Sequence, residues 1–485
     1  MILRAYVSTP FLDTARFYNN PCEKSKISAD LYDILISSKI YRKGRSLMKK
    51  KFVQIGTGGR ARFFYTALAK TYTETSDLVA ICDINRVRME YTNSVLVNEL
   101  GYHPVRMYGA DEFDKMIETE KPDVVIVTTI DRTHHRYIKR AMELGCDVIS
   151  EKPMTVDAEK CNQILDAIEE TGKKLRVTFN YRYAPHNSIV RELIMKDTIG
   201  KVQQVHFEWF LNTSHGADYF RRWHRDKRNS GGLLVHKSTH HFDLVNFWLN
   251  TYPETVFAMG GLKFYGRENA EERGITKFYT RVHGSENAKD DPFALVMEGN
   301  PLMENLYLKA EKEDGYIRDQ SVFGDNISIE DTMNVMVRYH SGAVMSYSLN
   351  AYSPIEGFRV VFTGTKGRMV LDVTEAVYVN GQGKPELEGV VNGKKLTVYP
   401  MFSEGYEVEI PEGKGGHGGG DPVLLEDIFG KPVEDPLNRA ASHVDGVASI
   451  MTGIAANKSI NTGMPVVVDQ LLGRKISDLK KAEKK

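Results

Sequence analysis

Cysteine is scarce in this chain. Cys22, Cys82, Cys146 and Cys161 are the only four among 485 residues, and no two of them form a C-x-x-C pair. Such wide spacing argues against a zinc ribbon or a disulfide scaffold and is expected of a protein kept in a reducing cytoplasm. Net charge is lacking as well: Lys plus Arg number 64 and Asp plus Glu number 64, which leaves 64 − 64 = 0. Without a basic surplus no global field draws the chain to nucleic acid or to an anionic membrane, so neither is expected as a partner. No run approaches the ~20 apolar residues that span a bilayer. The opening stretch Met1 to Tyr18 has no basic n-region, apolar h-region or small-residue cleavage site, and is not expected to be an export signal. What is present, 41% hydrophobic and 26% charged residues, is ordinary for a soluble globular protein.

A chain of 485 residues has room for two or three domains and a sizeable core. Residues 1–47 show no clear period and are expected to be an N-terminal extension, disordered or the result of a misassigned start, with the fold beginning near Met48. From there short apolar runs at Phe52–Ile55, Leu78–Cys82, Val124–Val127, Val148–Ile149 and Leu175–Val177 alternate with helical periods. Near-continuous Val/Ile strands separated by helices predict an α/β domain over 48–178, a doubly wound parallel sheet covered on both faces. After about residue 200 the texture becomes strand-rich: Val202–Leu211, Asn334–Tyr339 with Ala343–Asn350, and Phe358–Thr363 with Met369–Val373. The second domain, 179–472, is therefore expected to hold a large open, mainly antiparallel sheet. A helix near Ala440–Ala456 presents Val444, Val447, Ala448 and Met451 on one face, and the Lys-rich end 473–485 reads as a solvated tail.

The chemistry begins at Gly56-Thr57-Gly58-Gly59-Arg60-Ala61, a G-x-G-x-x-A fingerprint that follows a strand and opens a helix. Gly56 allows the tight turn, Gly58 lets the backbone approach a pyrophosphate, and Ala61 permits close helix-to-strand packing. Asp83 ends the second strand, where an acid accepts hydrogen bonds from the adenosine ribose and repels a 2′-phosphate, so NAD is favoured over NADP. Arg86 and Arg88 follow closely and can screen that acid; the alternative role for Asp83 is a helix N-cap. The turn Thr128-Thr129-Ile130-Asp131-Arg132-Thr133-His134 and the motif Glu151-Lys152-Pro153 both follow strands, at the edge of the sheet where ligands bind. Lys152 should project toward the nicotinamide, its backbone restricted by Pro153.

The fingerprint, the threonine turn with His134, Glu151-Lys152-Pro153 and Asn180-Tyr181-Arg182-Tyr183 together resemble the glucose-fructose oxidoreductase, inositol dehydrogenase and MocA family, over essentially Lys50 to Leu472. The resemblance implies a Rossmann domain, a C-terminal α/β domain whose open sheet often mediates oligomerisation, and oxidation or reduction of sugars and cyclitols with NAD(P). It assigns cofactor contacts to Gly56, Thr57, Gly58, Gly59, Arg60, Asp83, Thr128, Thr129, His134, Glu151 and Lys152, and a catalytic role to Lys152. The stretch Gly231 to Asp243 matches the family's Gly-Gly turn and helix; His240 falls on the catalytic histidine, and His236 stands where the family usually has an aspartate. On one regular helix His236, His240 and Asp243 share a face. Histidine with a pKa near 6.5 suits removal of a hydroxyl proton, with Lys152 polarising the oxygen, although the two roles can be exchanged. The i, i+4 histidines also admit a metal with Asp243 or His417, or two plain core histidines, but no metal is assigned.

Between the domains, Asn212 to Arg225 is dense in polar and aromatic groups, and His215, Tyr219 and Trp223, with Tyr181, Arg182 and Asp243, are the expected sugar contacts; the alternative is a surface loop with aromatic anchors. Gly415 to Asp421 resembles a loop that reaches the substrate pocket in some carbohydrate-active relatives, bringing His417, or else it is a flexible linker. The resulting expectation is a homo-oligomeric, NAD-dependent oxidoreductase acting on a secondary hydroxyl of a sugar or glycoside, C3 being one such position. Two rivals stand beside it: an NAD-dependent glycosidase working by transient oxidation and elimination, and a catalytically silent NAD-binding sensor.

Overall fold

The computed structural model describes residues 49–379 and 389–483, so the expectation for residues 1–47 lies outside the described residues. Strands β1 (Lys50–Ile55), β2 (Ser76–Asp83), β3 (Arg106–Gly109), β4 (Val124–Val127), β5 (Asp147–Ser150) and β6 (Leu175–Val177) form a six-stranded sheet in the order β3-β2-β1-β4-β5-β6. Every neighbouring pair is parallel. The four residues of β4 are all buried, as a strand covered on both faces requires. The strand not anticipated, β3, lies at the sheet edge, where Arg106 stays exposed and no apolar run is needed. Strand order reverses between β1 and β4, and the crevice at their carboxyl ends is the ligand-binding edge of such a sheet.

The second sheet contains β7 (Val202–Asn212), β8 (Pro253–Gly261), β9 (Thr332–Tyr339), β10 (Val344–Ser353), β11 (Glu356–Gly364), β12 (Gly367–Ala376), β13 (Val390–Pro400), β14 (Tyr406–Val408) and β15 (Val466–Val467), ordered β14-β13-β12-β11-β7-β10-β9-β8-β15. The two expected hairpins, β9–β10 and β11–β12, are both present. Strand β7 runs between them, antiparallel to β11 and parallel to β10, so the sheet is mainly antiparallel with one parallel pair. Its inner face carries Phe207, Trp209, Tyr347 and Phe358, and Trp209 stacks on Phe358 with ring centroids 4.6 Å apart. Its outer face carries the polar His206, Glu208, Asn334, Arg338 and Arg359 and also exposes Met259, Met336, Val344 and Tyr399.

The helix His443–Thr462 packs on this sheet and begins in a capping box made by Ser442 and Asp445. A Cβ on its Gly453 would lie 2.2 Å from the Leu234 carbonyl oxygen, so glycine is what allows the two elements to approach. The C-terminal end corrects an expectation: Ile476–Glu483 is a helix, with Ile476 fully buried and Leu479 one turn on packed against the core. The apolar core is continuous across both sheets, running from Val53 and Val127 through Met154 to Trp248 and Val447. Between β8 and β9 the chain leaves the sheet as an insertion, Leu262 to Asp331. The buried Asp331 carboxylate closes its base by accepting the backbone N–H groups of Lys263, Phe264 and Tyr265 at 2.8, 2.7 and 2.9 Å. Among the described residues no helix is long and apolar enough to cross a membrane.

Candidate active site

Gly56 leaves β1 with φ +90°, and a Cβ there would meet the Thr128 carbonyl and the Thr129 nitrogen at 2.7 Å. Only glycine fits between the β1 and β4 loops. Gly58 has no atom within 4 Å of the Cβ position and opens directly on the crevice, the free approach a pyrophosphate needs. Thr57 is buried, and its N–H and hydroxyl donate to Asp83 Oδ2 at 2.6 and 2.8 Å. Asp83 is not a helix N-cap: Asn85 caps the helix Arg86–Asn98, its Oδ1 accepting Arg88 N–H at 3.1 Å. Arg60 donates to Glu151 at 2.7 Å. The buried His134 ring stands between the Pro153 and Thr129 carbonyl oxygens at 2.8 and 3.0 Å, tying the β5 loop to the β4 loop. These groups fit a dinucleotide, with Gly56, Gly58, Gly59, Arg60, Asp83, Thr128, Thr129, His134, Glu151 and Lys152 on the wall of one cavity of about 670 Å³. Thr57 acts behind that wall.

The same cavity continues to Lys152, whose Nζ crosses to the second half of the chain and donates to the His236 carbonyl oxygen at 3.3 Å. Burial lowers the Lys152 pKa to about 8, against the opposing pull of Glu151 and Asp131. His236 faces a carboxylate from the Rossmann half: its Nδ1 lies 2.5 Å from Asp131 Oδ2. The aspartate missing from position 236 is thus matched by one delivered from the β4 loop. The His236 ring also meets His224 at 4.1 Å, and His224 stacks on Trp223 at 3.5 Å. Burial, then Lys152 and Arg222, hold His236 well below the ordinary histidine range.

The expected single helix through His236 and His240 is broken. Leu233–His236 and Thr239–Leu249 are separate helices joined by a wide turn, Ser238 N–H to Leu233 O at 2.8 Å, followed by a tight one, His240 N–H to Lys237 O at 3.2 Å. Both histidines still line the cavity. His240 is 2% exposed, edge-on to Tyr181 at 4.8 Å, and its Nδ1 has no hydrogen-bond partner. Burial keeps it well below the usual value, with Lys152 adding to the effect, so its imidazole is neutral at pH 7.

Asp243 does not join them: its carboxylate accepts from Arg182 Nε and a terminal guanidinium nitrogen at 2.7 and 2.5 Å, a buried pair behind the wall. Tyr181 also stands behind the wall, between His240 and His417. Of the segment between the domains, Thr213–Arg221 is a helix; His215 bonds Glu356 at 2.9 Å and Tyr219 at 3.1 Å off the cavity, whereas Trp223 lines it. His417 does reach the cavity, held by Asp421 at 3.0 Å and lying 6.0 Å from the His240 ring. Asn180 donates to Asp421 at 2.6 Å and lines the wall. Sequence reading missed Asp131, Arg222 and His224 as wall residues, although all three sit inside segments it quoted; Tyr307, Asp314 and Tyr316 carry no motif at all. Among the described residues no group of three His, Cys, Asp or Glu side chains is placed to hold a metal.

Comparison with known proteins agrees with this geometry. Residues 50–179 match the model of an oxidoreductase family's NAD-binding Rossmann fold, and residues 191–468 that of the same family's C-terminal alpha/beta domain. YteT of Bacillus subtilis (strain 168), named as an oxidoreductase, is 35% identical over 445 residues, covering 87% of this chain and 98% of YteT. The scyllo-inositol 2-dehydrogenase (NAD(+)) of the same organism is 21% identical over 418 residues, 85% of this chain and 94% of that one. The aldose-aldose oxidoreductase of Caulobacter crescentus shares the fold, with a TM-score of 0.56 at 16% identity, covering 86% of this chain and 99% of the other. With both halves matched in order and the cavity formed between them, the chain belongs to the Gfo/Idh/MocA family of NAD-binding oxidoreductases.

Proposed function

We propose that the protein oxidises a secondary carbinol of a sugar or glycoside, C3 of a pyranoside being one such position, with NAD as the partner. The observation that carries this reading is that Lys152, His236 and His240 line one continuous cavity with the dinucleotide fingerprint. NAD held along Gly56, Gly58 and Asp83 would supply the hydride acceptor. The chain supplies the rest: the neutral His240 imidazole takes the hydroxyl proton, and the Lys152 ammonium steadies the negative charge that develops on the oxygen. His236, oriented by Asp131, is a second proton carrier beside them. Trp223 offers an aromatic plane for the apolar face of the ring. NAD is favoured over NADP because Asp83 meets the ribose side while Arg86 is occupied by Glu90 at 2.9 Å and Arg88 is paired with Asp314. The open second sheet is the proposed homo-oligomer surface, which sedimentation velocity can check.

One observation favours a second reading. His417, held by Asp421, stands on the cavity wall with His134, His224, His236 and His240, more imidazoles than a simple oxidation requires. A C3 ketone acidifies the C2 proton, which permits elimination of an aglycone, addition of water and return of the hydride to C3. Mass spectrometry of the protein with NAD and a panel of free sugars, cyclitols and alkyl and aryl glycosides separates the readings. A glycoside lighter by two hydrogens with matching NADH is expected of the dehydrogenase, and free sugar plus aglycone without net NADH of the glycosidase. No change across the panel would overturn both.

A further inference from the structure

Asp218 is the counter-ion of three arginines. Its carboxylate lies 2.7 Å from Arg318, 3.0 Å from Arg222 and 3.6 Å from Arg221. Burial alone would raise its pKa, but the three guanidiniums outweigh burial and hold it below the ordinary carboxylate range. One negative charge therefore faces three positive ones. Arg221 spends two of its nitrogens on the Phe293 carbonyl oxygen at 2.9 and 2.7 Å, and Arg318 is shut in, only 7% exposed. Arg222 differs from both. Among the described residues its guanidinium makes one hydrogen bond, to Asp218 at 3.0 Å; its Nε has no partner, and the side chain lines the cavity, 28% exposed.

Two more hydrogen-bonding groups on the cavity wall are buried without partners, His224 Nδ1 and the Tyr316 hydroxyl, and both lie close enough to feel the Arg222 charge. This is the substrate end of the cavity. Arg222 immediately precedes Trp223, and its charge acts with that of Lys152 on Asp131, His236 and His224. At the fingerprint end the open approach at Gly58 already serves the cofactor's phosphates. A guanidinium taken out of water with few acceptors is costly, and crowding three around one carboxylate adds repulsion. An oxyanion entering the cavity relieves both, because the planar guanidinium binds carboxylate or phosphate through paired N–H groups.

We infer that the substrate is an anionic sugar, its carboxylate or phosphate held by Arg222 beside His224 and Tyr316 while its ring lies on Trp223. The inference rests on the functional reading for the sugar and adds the charge by which that sugar is selected. A neutral sugar leaves the excess positive charge uncompensated, and an anionic one neutralises it. Arg222 is thus a specificity-determining residue, aimed by Asp218 from behind.

The test measures initial rates of ketone formation, followed by mass spectrometry, for the full-length protein with NAD. The sugars are methyl glucuronide, glucose 6-phosphate and their neutral counterparts methyl glucoside and glucose, each also in its galacto form. An anionic sugar is expected to exceed its neutral counterpart about a hundredfold or more in kcat/KM, the uronide and phosphate arms showing which oxyanion fits. Arg222→Met should cut that ratio about thirtyfold or more, mainly through the KM of the anionic sugar, and Arg222→Lys should keep more of it. Asp218 retains Arg318 and Arg221 in both variants. Neutral sugars oxidised as well as anionic ones would overturn the inference and leave the functional reading standing. A ratio that survives Arg222→Met would overturn it too, and weakened NAD binding in that variant would assign the arginine to the cofactor's phosphates. If no sugar is oxidised, the functional reading fails, and calorimetry on the wild-type protein with NAD decides. Glucuronate or glucose 6-phosphate binding about tenfold or more tighter than glucose sustains the inference, and equal binding overturns it.

Discussion

Lys152 shows how a single environment sets a role. Burial lowers its pKa to about 8, so at pH 7 it still carries its proton, and it loses that proton as pH rises through about 8. If the ammonium steadies the developing charge, kcat/KM for sugar oxidation holds below that value and falls above it. A rise through the same pH would assign the base role to Lys152 and leave His240 as a positioning group. Lys152→Met is expected to lower kcat at least a thousandfold with little change in thermal stability. Arg182 makes the opposite case: its charge is structural, shared between Asp243, with both side chains at most 2% exposed, and Asp445 at 3.2 Å. Arg182→Met strands a buried carboxylate and should cost about 3–5 kcal/mol. Urea denaturation measures it, and the double variant with Asp243→Asn should recover much of the loss. Lys152, His240 and the fingerprint glycines Gly56, Gly58 and Gly59 line the cavity, and each sits in a local motif that sequence can register. It misplaced Asp243 because the residue that claims its carboxylate, Arg182, lies 61 positions away. It did not pair Asp131 with His236 for the same reason, the two being 105 positions apart.

Among the elements, legibility followed burial. Strands β1, β2, β4 and β5 read clearly because central parallel strands are apolar on both faces, β6 at the sheet edge through its buried Leu175 and Val177, and the hairpins β9–β10 and β11–β12 because one face alternates. Strands β3, β8, β13, β14 and β15 did not. β3 and β14 are edges, and β13 carries Gly393-Lys394-Lys395 in its middle. Spacing alone also implied one helix through His236 and His240, since periodicity cannot register a turn that widens and then tightens. The helix His443–Thr462 fixes the position of this broken segment, through Gly453 against Leu234 and a 2.6 Å hydrogen bond between Thr239 and Ser449. Gly453→Ala inserts a methyl where a carbonyl oxygen stands 2.2 Å away, so the helices must separate. The expected cost is about 1–3 kcal/mol, read from urea midpoints. Activity should fall more than stability explains, because the shift is passed to His240. Unchanged stability would mean that the crossing is loose.

At the scale of the whole molecule, the two halves share an apolar core as well as the polar contacts around the cavity, and the candidate active site is built from both. Such a chain should unfold as one unit, so that a ligand held by the first half stabilises the second. The sequence provides a probe placed for this, since the three tryptophans, Trp209, Trp223 and Trp248, all lie in the second half while the fingerprint Gly56–Ala61 lies in the first. Linkage adds about 2.7 kcal/mol when free NAD stands a hundredfold above its Kd. Restoring NAD to stripped protein is therefore expected to raise the midpoint seen by tryptophan fluorescence by the same several degrees as the midpoint seen by far-ultraviolet circular dichroism. The mechanism requires this coupling, because His236 and His240 reach the reacting oxygen only while their half stays registered against Lys152. Two separated transitions, with only the dichroism signal moved by NAD, would show that the halves melt independently.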